Sequence, residues 1–571
     1  MARRWLSGAS CPSWQDLAAA AIVLTTVGLL AVGASQMVAP LAAHPSAVSL
    51  APRALPLYCL RTTLRMLAAL GASFLFTFTY ATLAAKSRRA EMVLIPLLDV
   101  LQSVPVLGYL SFTVLFFVAL FPGKLLGAEL AAIFAIFTSQ AWNMAFSFYQ
   151  SLRMVPNDLD EVSRSIRSSA WQRFWQLDVP FAMPGLIWNT MMSMSGGWFF
   201  VVASEAIEVG DFRMALPGVG SYVARAIEER DLAAVGWAIL AMTVTIGLYD
   251  QLLFRPMVAW ADKFRFEQTA GAVAPRSWLL ELFQAAHGLK PVAERIHRAL
   301  RAISRAQLIA PGTLRRLKPW LLPRRATDLA WIAIVLAIIA YAAWELLRAA
   351  RATLSWSDVA AVAENGALTL LRVVVLVILA SVVWVPIGVA IGLRPRLTAI
   401  VQPIAQFLAA FPANLLFPLA VFLIVRFGLE PKIWLSPLMI LGTQWYILFN
   451  VIAGASSFPS DLREAAASAR VRPRRWWLQV MLPGIFPFYV TGAITASGGA
   501  WNASIVSEAV SWGPTSLSAS GLGAYIAHMT QQGDYPRIAL GIATMSVLVV
   551  AMNRLLWRPL YAFAERRTRL D

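Results

Sequence analysis

The chain alternates long apolar stretches with shorter polar ones. A helix needs about 20 mostly apolar residues to cross the hydrocarbon layer of a bilayer, so each long stretch predicts a membrane span. The pattern predicts an all-α polytopic membrane protein with about twelve transmembrane helices. The predicted spans are Leu17–Val38, Leu60–Ala85, Met92–Phe121, Ala128–Gln150, Gly185–Val209, Ala233–Phe254, Ala330–Leu347, Leu368–Leu393, Thr398–Val425, Ile433–Ala455, Phe488–Val510 and Ile538–Trp557.

The second six spans repeat landmarks of the first six. Six spans is an even number, so the two repeats run in the same direction and are related by an axis along the membrane normal. We predict a first half at 1–262, a basic linker at 263–325 and a second half at 326–571. The matched positions are Thr62–Arg65 with Thr369–Arg372, Pro96 with Pro403, Pro105 with Pro412, Trp198 with Trp501, Glu205 with Glu508 and Gly218–Tyr222 with Gly521–Tyr525.

Two prolines fall inside the third span of the first half, at Pro96 and Pro105. Proline removes a backbone hydrogen bond and clashes with the preceding turn of a helix. We therefore expect this span to be kinked or broken.

One polar stretch occurs twice, at 157–184 and 460–487, between spans four and five of each half. Asn157 and Ser460 are predicted N-caps, and Asp158 and Asp461 follow them, where the helix dipole favours negative charge. Each copy therefore predicts a short charged helix followed by a proline-bounded turn. An ordinary loop is the alternative, and the paired recurrence argues against it.

Composition agrees with a membrane protein, since 59% of the 571 residues are hydrophobic and 14% are charged. The net charge of +18 is better explained by basic loops at a bilayer than by a nucleic-acid partner. Two cysteines and four histidines form no ligand pattern, so we expect no metal and no cofactor. The sequence contains no P-loop motif, so any ATP chemistry would come from a partner and the chain itself is not an enzyme.

The basic loops predict the orientation. Lys86–Arg89, the loop around Glu161 and the segment after Arg255 all fall on the side of the N-terminus, and positive loops are usually cytoplasmic. Both termini and both copies of the repeated polar stretch are therefore expected in the cytoplasm.

The linker is rich in Lys and Arg. Its centre places Ile296, Leu300 and Ile303 on one face of a predicted helix and arginines on the others. Such a helix either lies on anionic headgroups or is a solvated linker helix, and the sequence leaves both open.

The repeated polar stretch resembles the EAA coupling loop of ABC importer permeases of the type I fold. Glu464-Ala465-Ala466 fits that motif as it stands, while Glu161-Val162-Ser163 is a looser fit. Both copies carry arginine, Arg167 and Arg470, where the family usually has glycine. The resemblance implies that Asp158, Glu161, Arg167, Asp461, Glu464 and Arg470 contact an ATPase.

Within that family, Gly196–Glu205, Gly218–Gly220 and the Asp250…Arg255-Pro256 ending look most like the nitrate/sulfonate/taurine-type branch. The resemblance implies two cytoplasmic ABC ATPase subunits, a periplasmic or lipid-anchored solute-binding protein and a bacterial inner membrane. It implies import of a small solute, with an anion such as nitrate, sulfonate, taurine or bicarbonate expected. The alternative is a secondary, ion-coupled transporter with two six-span repeats.

Polar side chains within the spans are candidates for the translocation path, because intramembrane polar groups tend to face cavities or neighbouring helices. Hydrogen bonding between helices is the alternative for any one of them. The candidates are Gln102, Asn143, Gln444 and Asn450.

Glu205 and Glu508 lie near the outer ends of their spans and are expected to face each other across the pseudo-twofold axis. We expect them to form an outer gate through bonds to arginine or backbone groups. Solvated interfacial carboxylates are the alternative. Arg65 and Arg372 either attract anions or extend to the headgroups.

Overall fold

The fold comes from a computed structural model, and Arg167 and part of the predicted linker lie outside its described residues. The structure describes residues 14–37, 48–102, 104–166, 168–209, 212–264, 277–286, 288, 290–306 and 324–568.

The first half is a series of helices with one β-hairpin. Its elements are α1 (Trp14–Met37), α2 (Leu55–Lys86), α3 (Arg88–Leu101), α4 (Val106–Leu120), α5 (Leu126–Arg153), α6 (Asn157–Ser165), α7 (Ala170–Arg173), α8 (Val179–Glu205), β1 (Ala206–Val209), β2 (Phe212–Ala215), α9 (Val219–Glu228), α10 (Leu232–Tyr249) and α11 (Arg255–Ala261). Two short helices follow in the linker, α12 (Trp278–Ala285) and α13 (Lys290–Arg305).

The second half repeats this order. Its elements are α14 (Arg324–Thr353), α15 (Trp356–Gly392), α16 (Pro395–Ala410), α17 (Phe417–Phe427), α18 (Pro431–Trp434), α19 (Leu438–Leu441), α20 (Gln444–Ser456), α21 (Ser460–Ser468), α22 (Pro473–Arg475), α23 (Leu482–Ser507), β3 (Ala509–Trp512), β4 (Thr515–Ser518), α24 (Leu522–Gln532), α25 (Tyr535–Met552) and α26 (Arg558–Thr568). Each hairpin is antiparallel, β1 with β2 and β3 with β4.

Every predicted span overlaps a helix or a bent helix pair. Among the described residues, six helices and three bent pairs are long and apolar enough to cross a membrane. The other three predicted spans correspond to α1, α8 and α14, which have 24, 27 and 30 residues. Tandem all-helical repeats are thereby confirmed.

The third span of each half is broken, as its prolines predict. The axes of α3 and α4 differ by 103°, and those of α16 and α17 by 79°. Each break lies next to the second proline, Pro105 or Pro412, whereas Pro96 and Pro403 remain inside helices.

The broken third spans contact the cores of both halves. Val106, Leu110 and Val114 of α4 belong to the apolar core built mainly from the second half. Leu415, from the break before α17, is buried in the core of the first half. Each half therefore lacks part of its core without the other.

The fourth span of the second half departs from the prediction of one helix over Ile433–Ala455. It is interrupted twice, near Pro437 and Gly442, and the resulting pair is bent by 43°. Proline cannot continue the hydrogen-bond ladder and glycine weakens a helix. The matching α5 has neither residue in its interior after Gly127 and runs unbroken for 28 residues.

Candidate functional site

The two repeated polar segments form equivalent short helices at one end of each half. α6 and α7 lead through a π-helical turn at Phe174–Asp178 into α8, and α21 and α22 lead through Trp476–Met481 into α23. The predicted N-caps are wrong by one residue. Pro156 and Pro459 precede the helices, and their carbonyls accept the first helical hydrogen bonds from Asp160 and Arg463.

The acidic residues of these helices face solvent. Asp158, Glu161, Asp461 and Glu464 are all exposed. Arg470 is also exposed and adopts a left-handed conformation with φ of 47°, so it forms the turn between α21 and α22 where the related motif usually has glycine. These side chains are open to a partner protein on this face.

The first segment is held by contacts within the chain. Arg173 forms an ion pair with Asp160, and Lys86 at the end of α2 forms one with Asp178, at 2.8 Å. Ser169 and Gln172 form a reciprocal capping box at the start of α7. A motion of this segment would therefore be transmitted to α2 and α8.

The repeated Thr, Arg, Glu and Gly positions converge into a buried cluster in each half. The carboxylate of Glu205 accepts hydrogen bonds from the Thr62 hydroxyl at 2.7 Å, from Arg65 at 2.6 Å and from the Gly220 N–H at 2.7 Å. A Cβ on Gly218 would lie 2.3 Å from that carboxylate, which explains why glycine stands there. The cluster ties the end of α8 to α2 and to the start of α9.

The second cluster repeats the same bonds. Glu508 accepts from Thr369 at 2.9 Å, from Arg372 at 3.0 Å and from the N–H groups of Gly523 and Ala524 at 2.8 and 3.2 Å. Every described group bonded to either carboxylate comes from its own half. Both glutamates are buried, so the alternative of solvated carboxylates is wrong, and their arrangement across the axis stays a prediction.

The two clusters differ at one residue. Arg65 also binds Glu129 through two hydrogen bonds of 2.6 and 2.7 Å, and it is completely buried. Arg65 was expected either to attract anions or to extend to the headgroups. Both predictions are wrong, because two carboxylates enclose its guanidinium. The sequence repeat did not mark Glu129. The two repeats are offset by 303 residues at Glu205 and Glu508, and at that offset the residue matching Glu129 is Lys432, which is not a carboxylate.

A central cavity of about 540 Å³ lies between the halves. Gln102 and Asn143 line it, whereas Glu205, Gln444, Asn450 and Glu508 do not, and a role for any of them in the translocation path stays a prediction. All of its described lining side chains are uncharged, and they combine hydroxyls and amides with aromatic rings. The polar lining residues are Gln102, Thr138, Ser139, Asn143, Ser195, Thr443, Tyr446, Thr491, Thr495, Ser497, Asn502 and Asn553.

Gln444 and Asn450 are bound to neighbouring helical groups instead. The Gln444 side chain accepts a hydrogen bond from Trp384 at 2.9 Å, and Asn450 donates one to the Tyr446 carbonyl at 2.8 Å. A role for them in the path stays a prediction.

A second cavity of about 1250 Å³ adjoins the central one. Ser195 and Tyr446 line both cavities, and their hydroxyl oxygens are 3.3 Å apart. This contact comes from α8 of the first half and α20 of the second. A shift between the halves would therefore change the connection between the cavities.

A pseudo-symmetric pair of helical units, a cavity between them and one exposed short helix in each unit define a membrane transport subunit. A sequence profile of the family described as binding-protein-dependent transport system inner membrane component matches the chain twice, at residues 77–254 and 383–569. The chain belongs to this family, and its multi-pass organisation as two fused permease units is confirmed. Family membership supports the permease over the secondary-transporter alternative.

Curated relatives carry anion-permease names among others. The chain is 28% identical over 177 residues to the bicarbonate transport system permease protein CmpB of Synechocystis sp., covering 31% of this chain and 60% of that protein. It is 24% identical over 189 residues to the nitrate import permease protein NrtB of Leptolyngbya laminosa, covering 33% and 64%.

A third relative has a different name. The glycine betaine/proline betaine transport system permease protein ProW of Escherichia coli is 31% identical over 154 residues, covering 27% of this chain and 39% of ProW. The chain thus spans about 60% of the length of the first relatives that it matches. No solved structure matches the chain.

Proposed function

We propose that the chain is the membrane-spanning permease of an ATP-driven importer for a small anion, such as nitrate, sulfonate, taurine or bicarbonate. The observation that carries this proposal is the pair of exposed acidic helices, α6 and α21, at equivalent positions of two fused units. Two sites suit two ATPase subunits, and the fused halves suit one complete pathway. The bicarbonate and nitrate names of the relatives support an anion.

The uncharged central cavity supports passage rather than tight capture. Hydroxyl and amide groups stabilise an anion by neutral hydrogen bonds, which are weaker than bonds from ionised donors. Selection of the solute is accordingly assigned to a separate periplasmic or lipid-anchored binding protein. The proposed location is the bacterial inner membrane, with both termini and both coupling helices in the cytoplasm.

The test is uptake by the purified permease in proteoliposomes with its ATPase subunits and binding protein. Bicarbonate, nitrate, taurine and glycine betaine, each radiolabelled or detected chemically, should be compared with and without ATP. ATP-dependent uptake of one of the anions is expected. Uptake driven by an ion gradient without ATPase subunits would contradict the proposal, and uptake of glycine betaine alone would contradict its anion part.

We also propose that Glu205 and Glu508 belong to the outer gate, because each carboxylate ties a span end to the segment after a hairpin. Replacing both by Gln keeps their shape and removes the charges that hold Arg65 and Arg372. Uptake and ATP hydrolysis stimulated by the binding protein should fall together. A folded double variant that transports like the parent chain would show that these carboxylates do not gate.

A further inference from the structure

The linker helix α13 has two faces of opposite character. Its apolar residues recur at intervals of three and four and so share one side of the helix. Val292, Ile296, Leu300 and Ile303 form this side and are 50%, 56%, 59% and 54% exposed. The remaining surface carries one acidic residue, Glu294, and the basic residues Lys290, Arg295, Arg298, Arg301 and Arg305.

Both ends of this helix are bonded to the start of a membrane span. Just before α13, the Gly288 N–H donates a hydrogen bond of 2.6 Å to Asp16 in the first turn of α1. At the other end, Trp171 donates to the Ile303 carbonyl at 2.7 Å and Gln172 to the Arg305 carbonyl at 2.9 Å. These two side chains satisfy carbonyls that the last turn of a helix leaves unpaired.

The two attachments place α13 along the membrane surface. α1 and α8 are the first and fifth predicted spans, so their beginnings lie on the same side of the bilayer. A helix of 16 residues is about 24 Å long, and with both ends bonded there it runs across that face rather than away from it. Trp171 belongs to α7, which a five-residue π-helical turn joins to α8, and tryptophan is enriched at membrane–water interfaces.

We propose that α13 lies in the headgroup layer and binds anionic phospholipids. Its exposed aliphatic face requires an apolar environment, and acyl chains just below the headgroups provide one. Five basic residues against one acidic residue match a negative lipid surface, whose attraction reaches about one Debye length into solution. An ATPase subunit fits less well, because α13 attaches to α7 beside the membrane, whereas the exposed acids lie on α6.

The proposal adds a lipid contact to the first coupling segment and does not depend on the transported solute. Trp171 and Gln172 cap α13 and also belong to α7. Lipid binding by α13 would therefore restrain the position of the first coupling segment.

The test places a fluorescent probe on each face of α13 in the full chain. In a background with Cys11→Ser and Cys59→Ala, an NBD label is attached at Ile296→Cys or, as the matched control, at Glu294→Cys. The proteoliposomes contain phosphatidylcholine alone or with phosphatidylglycerol, and shallow nitroxide lipids serve as quenchers. Quenching several-fold stronger at residue 296 than at residue 294, and stronger with phosphatidylglycerol, is expected.

Charge variants and the ATPase complete the test. Arg295→Gln, Arg298→Gln and Arg301→Gln together should abolish the phosphatidylglycerol dependence, and so should high salt. Equal quenching at residues 294 and 296, or equal quenching in both lipid mixtures, would overturn the proposal. The label at residue 296 could instead be protected from quenching only when ATPase subunits are added, whatever the lipid composition. That result would show that the apolar face of α13 contacts the ATPase, and it would overturn the proposal.

Discussion

At the scale of single residues, the two buried glutamates differ in how much their arginines depend on them. Arg65 has no solvent access, whereas the Arg372 side chain is 16% exposed. Removing one partner of a buried ion pair leaves an uncompensated charge, and water relieves that penalty only where it can enter. Glu129 would still compensate the charge of Arg65 but does not accept the hydrogen bonds that Thr62 and Gly220 donate to Glu205.

Glu205→Ala is therefore expected to destabilise the permease by roughly 1–3 kcal/mol, the range for a buried donor left unsatisfied. Thr62 and Gly220 lose their acceptor, whereas Arg65 keeps its ion pair with Glu129. Glu508→Ala should cost more, because Glu508 is the only carboxylate paired with Arg372 among the described residues and this arginine is only 16% exposed. Thermal unfolding of the two purified variants in the same detergent measures the difference. An equal or smaller loss for Glu508→Ala would mean that a second carboxylate beside the arginine does not decide the cost.

Arg470 is the second residue with a specific consequence. A left-handed conformation costs a non-glycine residue about 1–2 kcal/mol, and glycine adopts it without steric strain. Arg470→Gly should raise the stability of the permease by about 1 kcal/mol, while Arg470→Ala, which keeps a Cβ, should not. The apparent melting temperatures of both variants test this, and a gain with Ala as large as with Gly would exclude strain as the cause.

Among the elements, the coupling helices α6 and α21 are similar in sequence but differ in their support. The first is followed by α7, which contacts the linker helix and carries Arg173 paired with Asp160. At the same repeat offset, Trp171 and Gln172 correspond to Arg474 and Arg475, which are exposed, and Arg173 corresponds to Trp476. The proposed ATPase contacts are therefore expected to be unequal.

Glu161→Arg and Glu464→Arg together should lower ATP-driven uptake by about tenfold or more, because like charges across an interface cost several kcal/mol. The two single variants, Glu161→Arg and Glu464→Arg, should lower uptake by different factors. Uptake and co-purification of the ATPase subunits are the measurements. Glu430→Arg is the control, because Glu430 is also exposed but lies on the opposite predicted side of the membrane. An equal effect of this substitution would contradict the assignment of Glu161 and Glu464 to the ATPase contacts.

The sequence predicts elements better than it predicts which elements meet. Pro105 and Pro412 predict broken third spans, but the contacts of these spans with the other half depend on distant parts of the chain. Likewise, Thr62, Glu205 and Gly220 all stand out as repeated positions, and only folding brings them together. The break near Pro437 did have a signal in the sequence, which is the proline itself within an otherwise apolar run.

For the whole molecule, contacts of the third spans make the two halves mutually dependent. Val106 of α4 donates a hydrogen bond of 2.8 Å to Asn502, and Asn414 donates one of 3.1 Å to the Phe199 carbonyl. Residues of α4 contribute to the core of the second half, and Leu415 is buried in the core of the first. A half on its own would expose these surfaces.

Cutting the chain between residues 306 and 324 should therefore give two fragments that are unstable alone and active together. Co-expression with different tags should yield a one-to-one complex with the uptake of the intact chain, because this cut spares α13 and every described contact between halves. Thermal stability and co-purification provide the measurements. A single fragment that is monomeric and as stable as the complex would refute the mutual dependence.

The contacts of the third spans with the other half also bear on how such a sequence can diverge. In a symmetric dimer of identical chains, one surface must fit both its own fold and a copy of itself, so each substitution occurs twice at once. Two different halves in one chain are free of that requirement, because each surface has to fit only one partner surface. Since both halves belong to one chain, they are always made in a one-to-one ratio. Glu129 pairs with Arg65 in the first unit, whereas the equivalent sequence position of the second unit is the exposed Lys432. Two identical subunits could not differ in this way. Each unit can therefore specialise, provided that its partner keeps the surface that receives it.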